Sequence, residues 1–131
     1  MDKLALVALG GAAGASLRYA VGGPIMRLLG PLAPFGPATG TFAINVMGSL
    51  AMGLLAGWLA FRGDADQERW RLLLGIGVLG GFTTFSAYSL ELVQMLQRRE
   101  IGLAAAYALG SVLLGVVGLY AGLLIARRIL A

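Results

Sequence analysis

Polar side chains that interrupt long apolar runs are the groups in this sequence that could carry chemistry. Asn45 is the outstanding one in the second run, because its carboxamide offers two N–H donors and one acceptor oxygen. A polar group at membrane depth costs free energy unless it is paired or faces water. Asn45 is therefore either a hydrogen-bonding contact between helices or part of a polar pathway, and the sequence alone leaves both open.

The strongest local pattern lies in the third apolar run. The adjacent glycines Gly80 and Gly81 come before three hydroxyl residues: Thr83, Thr84 and Ser86. This order favours an interruption of the helix, which is tolerated at membrane depth only where protein or a cavity covers it. A broken helix exposes carbonyls that can bind cations and N–H groups that can bind anions. The alternative is a continuous helix whose small residues serve packing.

Two aromatic residues follow directly, and their spacing places them on roughly the same helix face. Phe85 and Tyr88 are three positions apart. Aromatic ring edges carry partial positive charge, so such a pair could touch a small anion edge-on while excluding water. The same spacing is also typical of core packing.

The fourth apolar run carries hydroxyls at helical spacing. Tyr107, Ser111 and Gly115 follow one another in steps of four residues, which predicts a hydroxyl track along one face. Glu91, in the third run, is the only acid inside an apolar run.

The composition indicates that lipid is the solvent for the elements that carry these residues. Of the 131 residues, 59% are hydrophobic and 12% are charged, whereas soluble domains have about a quarter charged. The chain lacks cysteine and histidine, which excludes disulfides, thiol nucleophiles, histidine bases and most transition-metal sites. Its ten basic residues are scattered between apolar runs and give a net charge of +4. We interpret them as helix-end anchors rather than a nucleic-acid footprint.

Four apolar stretches are each near the roughly 20 residues that cross a bilayer. We predict four transmembrane helices in a single domain of residues 1–131, at about 4–29, 39–61, 72–96 and 101–126. Glycine pairs with GxxxG spacing, such as Gly118 and Gly122, predict close helix packing.

The distribution of positive charge leaves the orientation open. With four helices, the N-terminus, the second connection and the C-terminus share a side, which carries Lys3, Arg62, Arg69, Arg71, Arg127 and Arg128. The other side carries Arg18, Arg27, Arg98 and Arg99. This weak bias is compatible with a single orientation, and equally with insertion both ways and pairing of inverted copies.

Three segments carry a resemblance to a known family. They are Gly10–Tyr19, the pair Gly40 and Thr41 followed by Asn45 and Gly48, and Gly80–Ser86. They resemble the CrcB/Fluc fluoride channels of bacteria, and chain length, hydrophobic pattern and balanced charge are similar along essentially the whole sequence. The Thr-Thr-Phe-Ser segment after paired glycines is the specific part of the match.

The resemblance implies an all-α membrane protein that forms an antiparallel, dual-topology homodimer with two fluoride pores. In that family the third helix is broken at the subunit interface, and backbone carbonyls there hold a structural sodium ion on the two-fold axis. Matched to this sequence, those carbonyls belong to Gly80 and Thr83. The sodium ion is the one cofactor that the resemblance predicts.

The resemblance also assigns the fluoride pathway. The aromatic pair would be Phe85 and Tyr88, and the pore-lining asparagine would be Asn45. The remaining pathway residues carry hydroxyls: Thr84, Ser86, Tyr107 and Ser111. Arg18 matches an arginine near the end of the first helix, and Glu91 matches an acid near the end of the third.

This sequence departs from the family pattern at two positions. The family usually has a second phenylalanine where this chain has Tyr88, and commonly threonine where it has Ala87. The Tyr88 hydroxyl could donate to fluoride or be anchored elsewhere.

Together these features predict a passive fluoride-selective channel, not an enzyme, that exports cytoplasmic fluoride across the bacterial cell (inner) membrane. Fluoride is small and tightly hydrated, so amides, hydroxyls and aromatic edges must replace its water without the deep well of a basic ring. We expect no titratable group at the pathway centre, which favours a channel over an exchanger. The expected partners are fluoride, lipid and a second copy, with no nucleic acid.

Two other functions compete with this prediction. A small dual-topology multidrug exporter normally needs a membrane-embedded carboxylate in its first helix, and this sequence has none. A non-transporting membrane subunit would give no reason for polar residues at membrane depth: Asn45, Thr83, Thr84 and Ser86.

Overall fold

The computed structural model describes residues 2–62 and 66–130, and all regular structure in those ranges is helical. The two long helices of the first half are α1, Lys3–Leu29, and α2, Thr39–Arg62. The second half comprises α3 (Gln67–Trp70), a π-helix (Arg71–Leu79), α4 (Gly80–Phe82), α5 (Phe85–Gln97) and α6 (Ile101–Leu130).

The connection between α1 and α2 follows from its prolines and glycines. Two short 3₁₀ turns, Gly30–Leu32 and Gly36–Ala38, each contain a proline near their start. Gly36 has a φ of 55°, a left-handed conformation that favours glycine. At the other end of α1, the Asp2 carboxylate accepts a hydrogen bond from the Leu4 N–H and caps the helix.

Four segments are long and apolar enough to cross a membrane: Lys3–Leu29, Gly36–Phe61, Gln67–Gln97 and Ile101–Leu130. The prediction of an all-helical chain with four such helices is therefore confirmed. The last helix extends to Leu130, four residues beyond the predicted end at 126. Arg127 and Arg128 occupy its last turn, where positive charge offsets the unpaired carbonyls of the C-terminus.

The helices pack as two close pairs, α2 on α6 and α1 on the π-helix and α4. Glycines make the approach of α2 to α6 possible. A Cβ at Gly53 would overlap the carbonyl of Leu119, and a Cβ at Gly122 would overlap that of Leu50. The two backbones therefore touch directly, as small residues allow between membrane helices.

Contacts at each end of the bundle show which connections lie together. Lys3 at the start of α1 forms a 2.8 Å ion pair with Glu68 of α3. The Gln67 side chain donates to the Leu59 carbonyl, at 2.8 Å, beside the same end. At the opposite end Ala38, Met95, Ala104 and Tyr107 form a buried cluster. The side chain of Arg62, assigned by sequence to the first of these ends, lies outside the described part.

Two extended residues separate α4 from α5 in the third span. Thr83 has φ −81° and ψ 158°, and Thr84 has φ −150° and ψ 113°. Thr84 is the N-cap of α5, because its Oγ1 accepts a hydrogen bond from the Ala87 N–H at 3.2 Å. Gly48 of α2 leaves room for Thr83, since a Cβ at Gly48 would overlap the Thr83 Cγ2.

Candidate functional site

The carboxamide of Asn45 pairs with the backbone of Thr84. Its Oδ1 accepts from the Thr84 N–H at 2.8 Å, and its Nδ2 donates to the Thr84 carbonyl at 3.1 Å. A side-chain amide carries two N–H donors, so one N–H of Asn45 is not used in this pair. The side chain both satisfies the extended backbone and retains a donor at its edge.

Hydrogen bonds at this break also affect the carbonyls of Gly80 and Thr83, because the N–H groups that would pair with them in a helix bind elsewhere. In an α-helix the Gly80 carbonyl would accept from the N–H of Thr84, and the Thr83 carbonyl from that of Ala87. Here the Thr84 N–H donates to Asn45 Oδ1, and the Ala87 N–H donates to Thr84 Oγ1. The resemblance assigned the carbonyls of Gly80 and Thr83 to a cation. The N–H groups that would pair with these carbonyls in a helix donate to side chains instead.

A cavity of about 260 Å³ opens beside the Thr83–Thr84 segment. Most of its polar lining comes from α2, α6 and the extended residues, and the lining comprises Asn45, Ser49, Thr83, Thr84, Phe85, Tyr88, Ser111 and Val112. Five of the seven predicted pathway residues therefore meet in one place. Ser86 lies next to it, with its Oγ 3.3 Å from Thr84 Oγ1.

The predicted aromatic pair is in contact. The ring centroids of Phe85 and Tyr88 are 5.5 Å apart, and the Tyr88 ring lies 5.2 Å from that of Tyr107. Phe85 is 78% exposed in the single chain, although it lines the cavity. Its ring edge is thus available both to the cavity and to whatever covers this face of the protein.

Tyr107 has a different environment from the one its place in the hydroxyl track suggested. It is fully buried, at 0% exposure, and its hydroxyl donates to Glu91 Oε2 at 2.6 Å. The Thr41 hydroxyl donates to the other oxygen of Glu91 at 2.7 Å. Of the track residues, Ser111 faces the cavity and Tyr107 faces a carboxylate.

Glu91 lies beside the predicted pathway residues, in the second half of the third span. It lies in α5, six residues before the third span ends at Gln97. Its carboxylate accepts from the predicted pathway residue Tyr107 and does not line the cavity. Glu91 could be picked out from the sequence, because it is the only acid in an apolar run.

The last predicted site residue stays apart from the others. Arg18 is half-buried in α1, which packs on the π-helix and α4, and it does not line the cavity. Conversely, sequence reasoning did not assign Ser49 or Thr41 to the site. Ser49 could have been found from its spacing, because it lies one helical turn after Asn45.

Comparisons with known proteins agree with this picture. The family model described as "CrcB-like protein, Camphor Resistance (CrcB)" matches residues 5–123. A protein of Phenylobacterium zucineum (strain HLK1) named "Fluoride-specific ion channel FluC" is 60% identical over 131 residues, covering all of both chains. A protein of the same name from Caulobacter vibrioides (strain NA1000 / CB15N) is 53% identical, again over all of both chains. A third, from Novosphingobium aromaticivorans, is 57% identical over 98% of this chain and 99% of its own.

The family predicted from sequence motifs is thereby confirmed. The family model spans most of the sequence, and these relatives align with it along nearly their whole lengths. The four apolar helices are those of a multi-pass membrane protein. This chain belongs to the CrcB family, and its full-length relatives are named fluoride-specific ion channels.

Proposed function

We propose that this chain is a fluoride-selective channel of the bacterial cell (inner) membrane, through which cytoplasmic fluoride leaves passively down its electrochemical gradient. One observation carries the proposal. At membrane depth the chain departs from the helix at Thr83 and Thr84, and Asn45 holds the extended backbone beside a polar cavity. Irregular backbone at that depth is tolerated where it lines a cavity. The names of the relatives supply the identity of the ion.

The proposed pathway replaces the water around fluoride with neutral donors. The second N–H of Asn45, the hydroxyls of Thr84 and Ser86, and the ring edges of Phe85 and Tyr88 are the groups available beside the cavity. Neutral donors bind the ion without a deep energy well, so that it can leave again. The Tyr88 hydroxyl is an additional donor that a phenylalanine would not provide.

A structural sodium ion at Gly80 and Thr83 is part of the same proposal. Carbonyl oxygens of unwound helices are suitable ligands for sodium, and the helical donors of these two carbonyls are diverted to side chains. One chain would supply two carbonyls, and a two-fold axis would double that number. Purification with N-methyl-D-glucamine in place of sodium should lower both the melting temperature and fluoride flux, and sodium should restore them. An unchanged melting temperature would argue against the ion.

We further propose that two copies assemble antiparallel, with two pores. Phe85 is 78% exposed in one chain, whereas a ring edge that touches dehydrated fluoride needs cover from water. A second copy would provide that cover, and the weak charge bias permits it to be inverted. A reporter fused to the C-terminus should be detected on both sides of the membrane, and added lysines in one connection should shift the ratio. A reporter found on one side only would contradict the antiparallel pair.

Glu91 bears on the competing exporter function. Such an exporter normally carries its membrane-embedded carboxylate in the first helix, whereas Glu91 lies in the third span, where Thr41 and Tyr107 donate to it. Coupled transport would require a proton gradient, whereas a channel would not. The two functions therefore predict different flux behaviour.

The decisive experiment is fluoride efflux from liposomes that contain only this protein. A fluoride electrode should record rapid efflux when valinomycin and potassium remove the opposing voltage, at equal pH on both sides. Efflux that needs a pH gradient would favour the exporter. Efflux no faster than from empty liposomes would favour a non-transporting subunit.

A further inference from the structure

One buried hydroxyl beside the cavity has no hydrogen-bond partner within the described ranges. The Oγ of Ser111 is inaccessible to bulk solvent and unpaired, although Ser111 lines the cavity of about 260 Å³. Buried polar groups are nearly always paired, and an unpaired one calls for a missing water, ion or functional role. The Ser111 hydroxyl is therefore positioned for a partner that is not part of the protein.

A second hydroxyl approaches the same face of α6 from the opposite helix. Ser49 of α2 lines the same cavity, and no hydrogen bond of its side chain is found among residues 2–62 and 66–130. A Cβ at Gly115, one turn after Ser111, would lie 3.5 Å from the Ser49 Oγ. Glycine at 115 thus leaves open space in front of the Ser49 hydroxyl, where a larger side chain would stand.

We infer that Ser49 is a further fluoride-binding residue, which together with Ser111 forms a two-hydroxyl site between α2 and α6, one helical turn from Asn45. This inference rests on the proposed channel function. Each serine can turn its O–H toward an anion, and two donors from opposing helices can hold fluoride between them. The site extends the pathway along α2, where the neutral donors follow each other from Asn45 to Ser49.

Water alone is the competing occupant, since a polar cavity of this size can hold it. The two interpretations differ in what removal of the Ser49 hydroxyl does. A water site tolerates the loss, because other waters fill the space. A fluoride site loses a hydrogen bond to a charged group, which is sufficient to slow transport about tenfold.

The test compares variants by liposome fluoride efflux, with elution volume on size exclusion as a control for folding. Ser49→Val and Ser49→Thr have nearly the same shape, and only threonine keeps the hydroxyl. We expect Ser49→Val and Ser111→Ala each to slow efflux at least tenfold, and Ser49→Thr to stay within threefold of the wild type. Ser89→Ala is the matched control, because the Ser89 hydroxyl donates to the Phe85 carbonyl of its own helix and does not line the cavity.

A hydroxyl swap provides an independent measurement. The double variant Ser49→Ala/Gly115→Ser moves the hydroxyl from α2 to the facing position on α6. Its fluoride efflux should recover most of the rate that Ser49→Ala alone loses. Equal efflux of the Ser49→Val and Ser49→Thr variants would overturn the inference, as would a swap that folds without recovery. If the wild type and Ser89→Ala conduct normally, such a result leaves the channel function intact. If the wild type does not conduct, the proposed function fails and this inference fails with it.

Discussion

The side chain of Asn45 binds both backbone groups of Thr84, a residue 39 positions later in the sequence. The arrangement resembles one rung between paired strands, except that an amide side chain replaces one of the two backbones. It satisfies an N–H and a carbonyl that the helix has given up, in a span where lipid offers no hydrogen bonds. Thr83 and Thr84 can remain extended between two helices because this partner is present.

Replacing Asn45 should therefore destabilise the protein as well as stop transport. Asn45→Ala leaves both backbone groups of Thr84 unpaired, at a cost of about 1–3 kcal/mol for each buried group. We expect a lower melting temperature in detergent and a fluoride efflux reduced more than tenfold. Asn45→Asp loses the donor to the Thr84 carbonyl and adds a negative charge beside the anion, so its efflux should also collapse. If Asn45→Ala melted at the wild-type temperature, the hydrogen bonds between Asn45 and Thr84 would contribute little to stability.

Phe85 is expected to act through the edge of its ring. Phe85→Ile keeps an apolar side chain but removes the electropositive edge, so fluoride efflux should fall at least tenfold while yield and elution volume stay normal. Tyr88→Phe is the informative control, because the ring edge survives and only the hydroxyl is lost. Normal efflux of Phe85→Ile would end the aromatic interpretation. Loss of efflux in Tyr88→Phe would instead make the Tyr88 hydroxyl an essential donor.

The contact between Tyr107 and Glu91 should be measurable as stability. Tyr107→Phe removes the hydroxyl that donates at 2.6 Å to the carboxylate, and hydrogen bonds to charged groups contribute about 1.5–3 kcal/mol. We expect a clear decrease in melting temperature. Tyr120→Phe, at a tyrosine that is 60% exposed on the same helix, should melt like the wild type. Equal melting of the two variants would mean that the Glu91 contact is not significant for stability.

Because α2 and α6 approach closely, we predict that two glycines of α6 differ sharply in how well they tolerate replacement by alanine. A Cβ at Gly122 would overlap the Leu50 carbonyl, whereas a Cβ at Gly102 meets nothing within 4 Å. Gly122→Ala should force the helices apart, costing about 1–3 kcal/mol of packing, and should lower the yield of folded protein. Gly102→Ala should be neutral or slightly stabilising, since alanine is the better helix former. Similar yield and melting of the two would contradict the packing described here.

Hydropathy was sufficient to predict the four spans, because a run of about 20 apolar residues has few alternatives to crossing a bilayer. The contact of Phe85 with Tyr88 also followed from local spacing, which fixes the face of a helix. Boundaries were less accurate. The fourth helix extends to Leu130 because arginines in its last turn stabilise further residues, an effect that a count of apolar residues does not include.

The polar partnerships could not be predicted from local pattern. Asn45 with Thr84 and Thr41 with Glu91 join residues 39 and 50 positions apart, and such pairs depend on how α2 is placed against the other helices. The same reason explains why Tyr107 faces Glu91 while Ser111 faces the cavity. Spacing along one helix puts the two residues on one face, but the neighbouring helices decide what each of them meets.

The π-helix at Arg71–Leu79 sets the rotation at which the rest of the third span begins. The Gly80 N–H donates to the carbonyl of Gly75, five residues back, so the stretch carries more residues per turn than an α-helix. If the stretch relaxed to an α-helix of the same length, each residue would turn the chain further about the axis, by about 100°. Thr84 would then rotate away from Asn45. The wide turns of Arg71–Leu79 are therefore part of what places Thr84 opposite Asn45.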